Sequence, residues 1–424
     1  MSSEPLVGRF TIGTLITEGA ITAHKDGNYG SLYPRIEDFT DNGLPLLTAK
    51  VLVGGRIDFA SAQKLNVQKA NTLKYGFIET NDVLLAHNAT VGRVAIVPEL
   101  KERALVGTSL TYFRLDKSKL LPRYLAAFFE SNDFQNQLSG IMGLSTRNQV
   151  PITAQRLLEI EVPPLETQLA ISNMVGALDD RITLLRETNK TLESIAQAIF
   201  KSWFVDFDPV RAKMEGRQPE GMDEETAALF PDSFEESECG AVPKGWLPIR
   251  LDSFCELVYG KALKADNRKP GEIPVYGSGG ITGWHDTALV TSPSIIVGRK
   301  GTVGSLYWES RPFFPIDTVF YVKTKKPLTY CWQLLKTLGL QDMNTDAAVP
   351  GLNRENVYRL LVPSIPASLI DAFDATARTL RRSVDHNEEQ VQNLSQLRDI
   401  LLPRLISGQL RLPEAQEHVE GALS

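Results

Sequence analysis

The chain has 424 residues, 42% hydrophobic and 23% charged, a composition that suits two or three globular domains and excludes a disordered or disulfide-stapled chain. No apolar run approaches the roughly 18 residues of a membrane span. The opening MSSEPLVGRF lacks secretory character, and the cysteines Cys239, Cys255 and Cys331 are scattered, so the expectation is a cytoplasmic protein without a structural zinc site.

The net charge of −6 argues against a nucleic-acid partner only until it is divided along the chain. Residues 206–243 hold 3 Lys+Arg against 11 Asp+Glu, whereas residues 1–164 hold 17 against 16 and residues 244–364 hold 15 against 10. Such asymmetry is compatible with DNA contact by separate modules.

From Phe10 to Val162 the residues read as short strands and turns with some helix. Asp82–Ala86 is an apolar run of buried-strand type, followed by the turn His87–Gly92 and the strand Arg93–Val97. Leu110–Leu115 predicts a further strand and Tyr124–Phe134 a helix. The polar stretch Ser145–Pro151 leads on to a strand at Leu158–Val162, which Pro163 and Pro164 stop.

Leu165–Phe204 carries apolar residues at Ile171, Val175, Leu178, Ile182, Leu185, Leu192, Ala196, Ile199 and Trp203, in alternating steps of four and three. Asn189 fills the one gap. A 3.5-residue period is the seam of a coiled coil, narrower than the stripe of a helix lying on a globular core. At 1.5 Å per residue the helix is roughly 58 Å long and needs a partner helix.

After an acidic segment with interspersed Gly and Pro, the chain repeats itself. Ser294–Val297, Thr302-Val303-Gly304 and Ser305–Trp308 parallel the strand, turn and strand around Thr90-Val91-Gly92. Asp317–Val322 parallels Ser109–Arg114, Tyr330 opens a short helix as Tyr124 does, and Leu352–Pro363 parallels Ile152–Pro163. A second seam follows at Leu380, Val384, Asn387, Val391, Leu394, Arg398, Leu401 and Leu405.

The expected organisation is a domain over 1–164, a helix over 165–205, an acidic linker over 206–243, a domain over 244–364, a helix over 365–410 and a tail over 411–424. The fold class is α+β, with two pseudo-symmetric α/β domains and the two helices packed as an antiparallel coiled coil. Residue numbers summing to about 576 pair Asn189 with Asn387, whose amides can satisfy each other and fix register. The layer Leu178–Arg398 then requires the guanidinium to reach outward. A register slipped by one heptad, or an intermolecular dimer, is the alternative.

Catalytic motifs are missing. Gly298-Arg299-Lys300-Gly301-Thr302 lacks the Gly-Lys-Ser/Thr ending of a phosphate loop and runs into a strand. There is no glycine-rich dinucleotide fingerprint, no Asn/Asp-Pro-Pro-Tyr/Phe stretch and no paired His or Cys ligand set. What remains is recognition. The turns offer Asn88, Thr90 and Arg93, beside His87, in one domain and Arg299, Lys300 and Thr302 in the other. The later loops add Arg147 and Asn148, and Asn353 and Arg354, side chains of the type that reads guanine or adenine. Tyr276, Ser278 and Trp284 complete the DNA-contact candidates. Two other readings stay open: a scaffold whose paired modules bind protein, and a self-contained nuclease or methyltransferase.

The stretch Leu192–Val210, its echo Leu397–Gly408, the opening Val242-Pro243-Lys244-Gly245-Trp246 and the run Pro163–Gln168 together resemble the specificity subunit of type I restriction-modification systems. The resemblance covers nearly the whole chain. It implies a non-catalytic subunit that recognises a bipartite, asymmetric double-stranded DNA target, one half per target-recognition domain. It implies two methyltransferase subunits and two restriction subunits as partners, which carry S-adenosylmethionine, ATP and Mg, with no cofactor or metal on this chain. Exposed positions around Phe200, Phe204, Phe207, Leu402 and Ile406 are then the candidates for partner contact.

Overall fold

A computed structural model describes residues 6–142, 148–237, 240–344, 351–406 and 409–423. The chain divides into two compact units, Met1–Leu184 with Gln390–Ser424, and Leu185–Glu389. Each unit therefore contains one globular domain and one half of each long helix.

In the first unit the apolar run Val83–Ala86 is buried throughout and forms an inner strand of a four-stranded antiparallel sheet. The order is Ile21–Asp26, Leu110–Leu115, Val83–Ala86, Val94–Ile96. A second sheet places Phe39–Leu47 between Gln63–Leu65 and Leu105–Val106, parallel to the latter. Gly8–Thr11 and Glu159–Val162 close the domain as an antiparallel pair.

The second unit repeats this plan. Its four strands run Cys255–Tyr259, Val319–Thr324, Ser294–Gly298, Leu306–Glu309. Its second sheet sets Ile273–Gly277 between Gly280–His285 and Phe314–Pro315, again parallel to the last, and Pro248–Arg250 pairs with Leu361–Pro363. Even a close approach recurs. A Cβ on Gly27 would lie 2.1 Å from the Val106 carbonyl oxygen, and one on Gly260 would lie 2.1 Å from that of Ile316. Only glycine lets the backbone pass at either place.

The long helices span Leu165–Phe204 and Ala367–Ile406, 40 residues each. In the second unit Asn387 Nδ2 donates to Asn189 Oδ1 at 2.8 Å, and Asn189 Nδ2 donates to the Val384 carbonyl at 3.3 Å. Trp203 and Phe373 meet with ring centroids 6.2 Å apart. The helices are antiparallel, and the amide pair stands in the register the seam predicts. In the first unit Ile171, Val175, Leu178 and Ile182 are buried, as are Leu394, Leu401 and Leu405. Arg398 resolves its awkward layer by donating to Asp179, beside Leu178, at 2.9 Å. Gln168 ties the start of the first helix to its domain: it accepts from Leu121 N–H and donates to the Lys119 and Pro163 carbonyls.

Three expectations need correction. The helix foreseen over Tyr124–Phe134 is two helices, Pro122–Glu130 and Asn132–Met142. Ser131 leaves the helical region between them, with ψ 152, and its hydroxyl accepts from Phe134 N–H as a new cap. The acidic segment is no mere linker. It folds into helices Asp208–Met214 and Glu224–Ala228 and a hairpin of Phe234–Ser237 with Gly240–Pro243. Its Val210 and Phe230 enter the apolar core around Trp203, Phe204 and Trp246, while Lys213 donates to the Ala227 and Phe230 carbonyls. The tail, finally, forms a helix over Leu412–Leu423, burying Ala415 and Val419.

Candidate nucleic-acid interface

Each domain builds the same turn after an inner strand of its four-stranded sheet, and main-chain hydrogen bonds hold it. In the first, Gly92 N–H donates to the Ala86 carbonyl at 2.8 Å and Thr90 N–H to that of Asn88 at 2.9 Å. His87 N–H reaches Ser109 at 3.0 Å, and Val150 N–H donates to the His87 carbonyl at 2.8 Å. In the second the inner bond, Val303 to Gly301 at 3.0 Å, lies one residue further along, and the other three repeat: Gly304 to Gly298 at 2.8 Å, Arg299 to Thr318 at 2.9 Å and Leu352 to Arg299 at 2.8 Å. Gly92 and Gly304 close the turns at φ 92° and 68°. Inside the turn Gly301 adopts φ 86°, and its counterpart Ala89 is held at φ 65°, a left-handed geometry that an L side chain resists.

The last of these hydrogen bonds brings the turn beside the later loop, so residues far apart in sequence share one surface. In the second domain Arg299, Lys300, Thr302, Ser278, Asn353 and Arg354 gather there. The Arg299 and Arg354 guanidiniums lie 4.9 and 5.0 Å from the ring centroid of Tyr259, which is 46% exposed. Arg299 also donates to the Asp317 carbonyl at 2.8 Å, and Lys300 and Thr302 are exposed. Ser278 Oγ accepts from Thr302 N–H at 3.4 Å. The Asn353 amide oxygen caps the helix Arg354–Tyr358 by accepting from Glu355 and Asn356 N–H. Tyr259 escaped the sequence reading because a single aromatic at a strand end carries no pattern.

Two candidates stand elsewhere. Tyr276 is buried, and its hydroxyl donates to Glu309 at 3.0 Å, so its ring cannot reach a ligand. Trp284 is half exposed but pairs with Pro274, at the end of the hairpin away from Ser278.

In the first domain Asn88 bridges to Gln149, Asn148 is exposed, and Arg93 is exposed with its guanidinium donating to the Leu52 carbonyl at 3.1 Å. Thr90 is half-buried, and Arg147 lies outside the described residues. His87 faces inward. Its Nδ1 is 2.8 Å from Thr111 Oγ1, Gln155 Nε2 donates to Thr111 Oγ1 at 3.0 Å and to the Val150 carbonyl at 3.1 Å, and His24 Nε2 sits 3.0 Å from Gln155 Oε1. Burial lowers the His87 imidazole and pushes His24 down to about 4, so both are neutral near pH 7. The positions aligned with His24, Thr111 and Gln155 hold Leu257, Phe320 and Val357 in the second domain, all fully buried, while Arg299 stands where His87 does. One turn thus rests on a polar network and the other on an apolar floor.

The partner-contact candidates are largely internal. Phe200 and Phe204 are buried with Tyr330 and Phe373, because both packed helices bring aromatics to the same end of the second unit's core. Phe207 is half-buried on Trp246 and Phe234. Leu402 is buried and Ile406 half-buried in the first unit. Each of these residues packs within its own unit rather than standing exposed.

Among the described residues no group of His, Cys, Asp and Glu is arranged to hold a metal ion, and no helix is long and apolar enough to cross a membrane. A family model described as the type I restriction modification DNA specificity domain matches residues 18–194 and 243–360. The chain is 25% identical over 395 residues to the type I restriction enzyme HindI specificity subunit of Haemophilus influenzae, covering 75% of this chain and 84% of that one. It is 24% identical over 415 residues to the MjaIX specificity subunit of Methanocaldococcus jannaschii, covering 90% of each. Among solved structures, a type I restriction-modification S subunit from M. genitalium aligns over 96% of this chain and 97% of that chain, at 17% identity and a TM-score of 0.49. An HsdS subunit from Thermoanaerobacter tengcongensis aligns over 96% and 99%, at 16% identity and 0.36.

Proposed function

Because the chain belongs to the family of type I restriction-modification DNA specificity subunits, we propose that it reads a bipartite, asymmetric double-stranded DNA target, one half-site per domain. The long helices set the gap between the half-sites, as dimer geometry sets half-site spacing in other DNA readers. The chain performs no chemistry itself. It directs two methyltransferase subunits, which carry S-adenosylmethionine, to methylate adenine at the site. Two restriction subunits with ATP and Mg cleave when the site is unmodified, and the whole complex works in the cytoplasm.

The observation that supports this reading is the repeated turn. One main-chain frame is built twice and furnished with different side chains, as two readers of two different sequences require. In the second domain Arg299, Lys300 and Arg354 supply cations for phosphates and guanine edges.

The test is binding of split-site duplexes by the chain in complex with a methyltransferase subunit, after the methylated motif has been mapped by modification-sensitive sequencing. Lys300→Ala with Arg354→Ala should weaken reading of one half-site by about 1–3 kcal/mol and leave the other readable. Equal loss at both halves, or a purified chain that methylates or cleaves DNA alone, would overturn the reading.

A further inference from the structure

Each unit clasps its domain to the helix pair with an ion-pair cluster, and the two clusters are of opposite sign. In the first unit Arg398, on the second long helix, pairs with Asp179 of the first at 2.9 Å and lies 3.8 Å from Glu130, the last residue of the domain helix Pro122–Glu130. In the second unit Glu193, on the first long helix, accepts from Arg381 of the second at 3.1 Å. It also accepts from Lys336 at 2.8 Å and the Trp332 indole at 3.1 Å, both on the domain helix Leu328–Thr337.

Aligning the two 40-residue helices end to end superposes Asp179 on Arg381. Aligning Tyr124 with Tyr330 superposes Glu130 on Lys336. The central groups, Glu193 and Arg398, fall about one helical turn apart in the same frame. The duplication has kept the clasp and inverted the charge at these three positions; Arg381 pairs in addition with Asp385 and Glu388 of its own helix, and Arg398 with Asp399.

We propose that this inversion is a pairing code, by which the first half of the chain binds the second half and rejects a second copy of itself. A duplicated fold makes like pairing geometrically available, so something must disfavour it. In a pair of first halves Glu193 would face Asp179 and Glu130, three acids together. In a pair of second halves Arg398 would face Arg381 and Lys336, three bases whose remaining carboxylates are the same-helix partners Asp385, Glu388 and Asp399. Burial raises Asp179 and pushes Glu130 up to about 7, and the Arg398 charge opposes both shifts. With Glu193 in place of Arg398, these acids would either face another anion or take up protons, and each course costs stability.

The half-buried amides favour the same choice. Unlike pairing joins Asn189 to Asn387. Like pairing would set Asn189 against Leu185 of the second copy, and Asn387 against Val391, leaving each amide without its partner.

The test starts from the full chain carrying a protease site after Arg217, in the exposed stretch beyond the helix Asp208–Met214. The folded protein is cut, unfolded in denaturant and refolded, and its species are counted by native mass spectrometry. The unlike fragment pair should outnumber like pairs by about a hundredfold. The triple variant Glu193→Arg, Lys336→Glu, Arg381→Glu gives the second cluster the polarity of the first. Unlike pairs then keep two satisfied clusters while like pairs gain them, so the like fraction should rise about tenfold. Inverting the first cluster instead, with Arg398→Glu, Asp179→Arg and Glu130→Lys, should do the same.

Thermal unfolding of the uncut chain supplies a second measurement. Glu193→Arg alone should lower the Tm, and the triple variant should recover most of the loss. Like pairs as frequent as unlike ones in the unaltered sequence would overturn the proposal. So would an unchanged like fraction in the inverted variants, or a triple variant no more stable than Glu193→Arg.

Discussion

Ala89 and Gly301 occupy the same place in the two reading turns, at φ 65° and 86°, yet only one of them is suited to it. Gly301→Ala should cost about 1 kcal/mol in chemical denaturation, whereas Ala89→Gly should be neutral or stabilising. A loss from both would mean that the side chain of Ala89 matters more than its backbone. His24 supports a second prediction. Its pKa is about 4 in the folded protein against the ordinary 6.5, so between those values the unfolded chain binds the extra proton. Its contribution is complete above pH 6.5 and is lost as pH falls toward 4, up to about 3 kcal/mol. Unfolding followed from pH 8 to 4 should show this slope, and His24→Gln, which keeps a donor for Gln155 and cannot titrate, should flatten it. At this scale the sequence was only partly legible. Arg299, Lys300 and Arg354 were marked by their chemistry and do share a surface. Tyr276 was misread, because the carboxylate that buries its hydroxyl lies on another strand, at Glu309.

The long helices were the most legible elements, since an apolar period of 3.5 persisting from Ile171 to Trp203 and from Leu380 to Leu405 has one geometric meaning and the Asn in each seam marks the register. That marker is testable. Asn189→Leu alone should cost about 2 kcal/mol by stranding the Asn387 amide, and the double variant with Asn387→Leu should recover that and more. If the single and double variants are equally destabilised, the amides do not act as a pair. The acidic segment was illegible for the converse reason. Val210 stands alone among charges and Pro, Phe230 ends only the short run Ala227–Phe230 between acids and Pro231, and their partners Trp203 and Trp246 come from outside the segment. The break at Ser131 was hidden because serine also occurs inside helices, and only its ψ of 152° and its cap to Phe134 reveal it.

For the whole molecule, the duplication turned local observations into an architecture: sheet order, close glycines and turn hydrogen bonds recur although few side chains do. If the helices set the gap between half-sites, seven residues inserted into each at its midpoint add about 10.5 Å, or about three base pairs at 3.4 Å each. The methylated motif of such a variant should keep both half-sites and lengthen its gap accordingly. An unchanged gap would refute the role of the helices as a spacer. The turn frame has a further consequence. The three hydrogen bonds that repeat between the domains join main-chain atoms alone, so they do not depend on the side chains at Asn88, Lys300 or Thr302. If these turns read DNA, the lettering can change while the page stays flat: mutations at Asn88, Lys300 or Thr302 would alter what is read without undoing the fold. On the proposed reading, such a protein would be free to drift from one target to another through folded intermediates, each domain independently of the other.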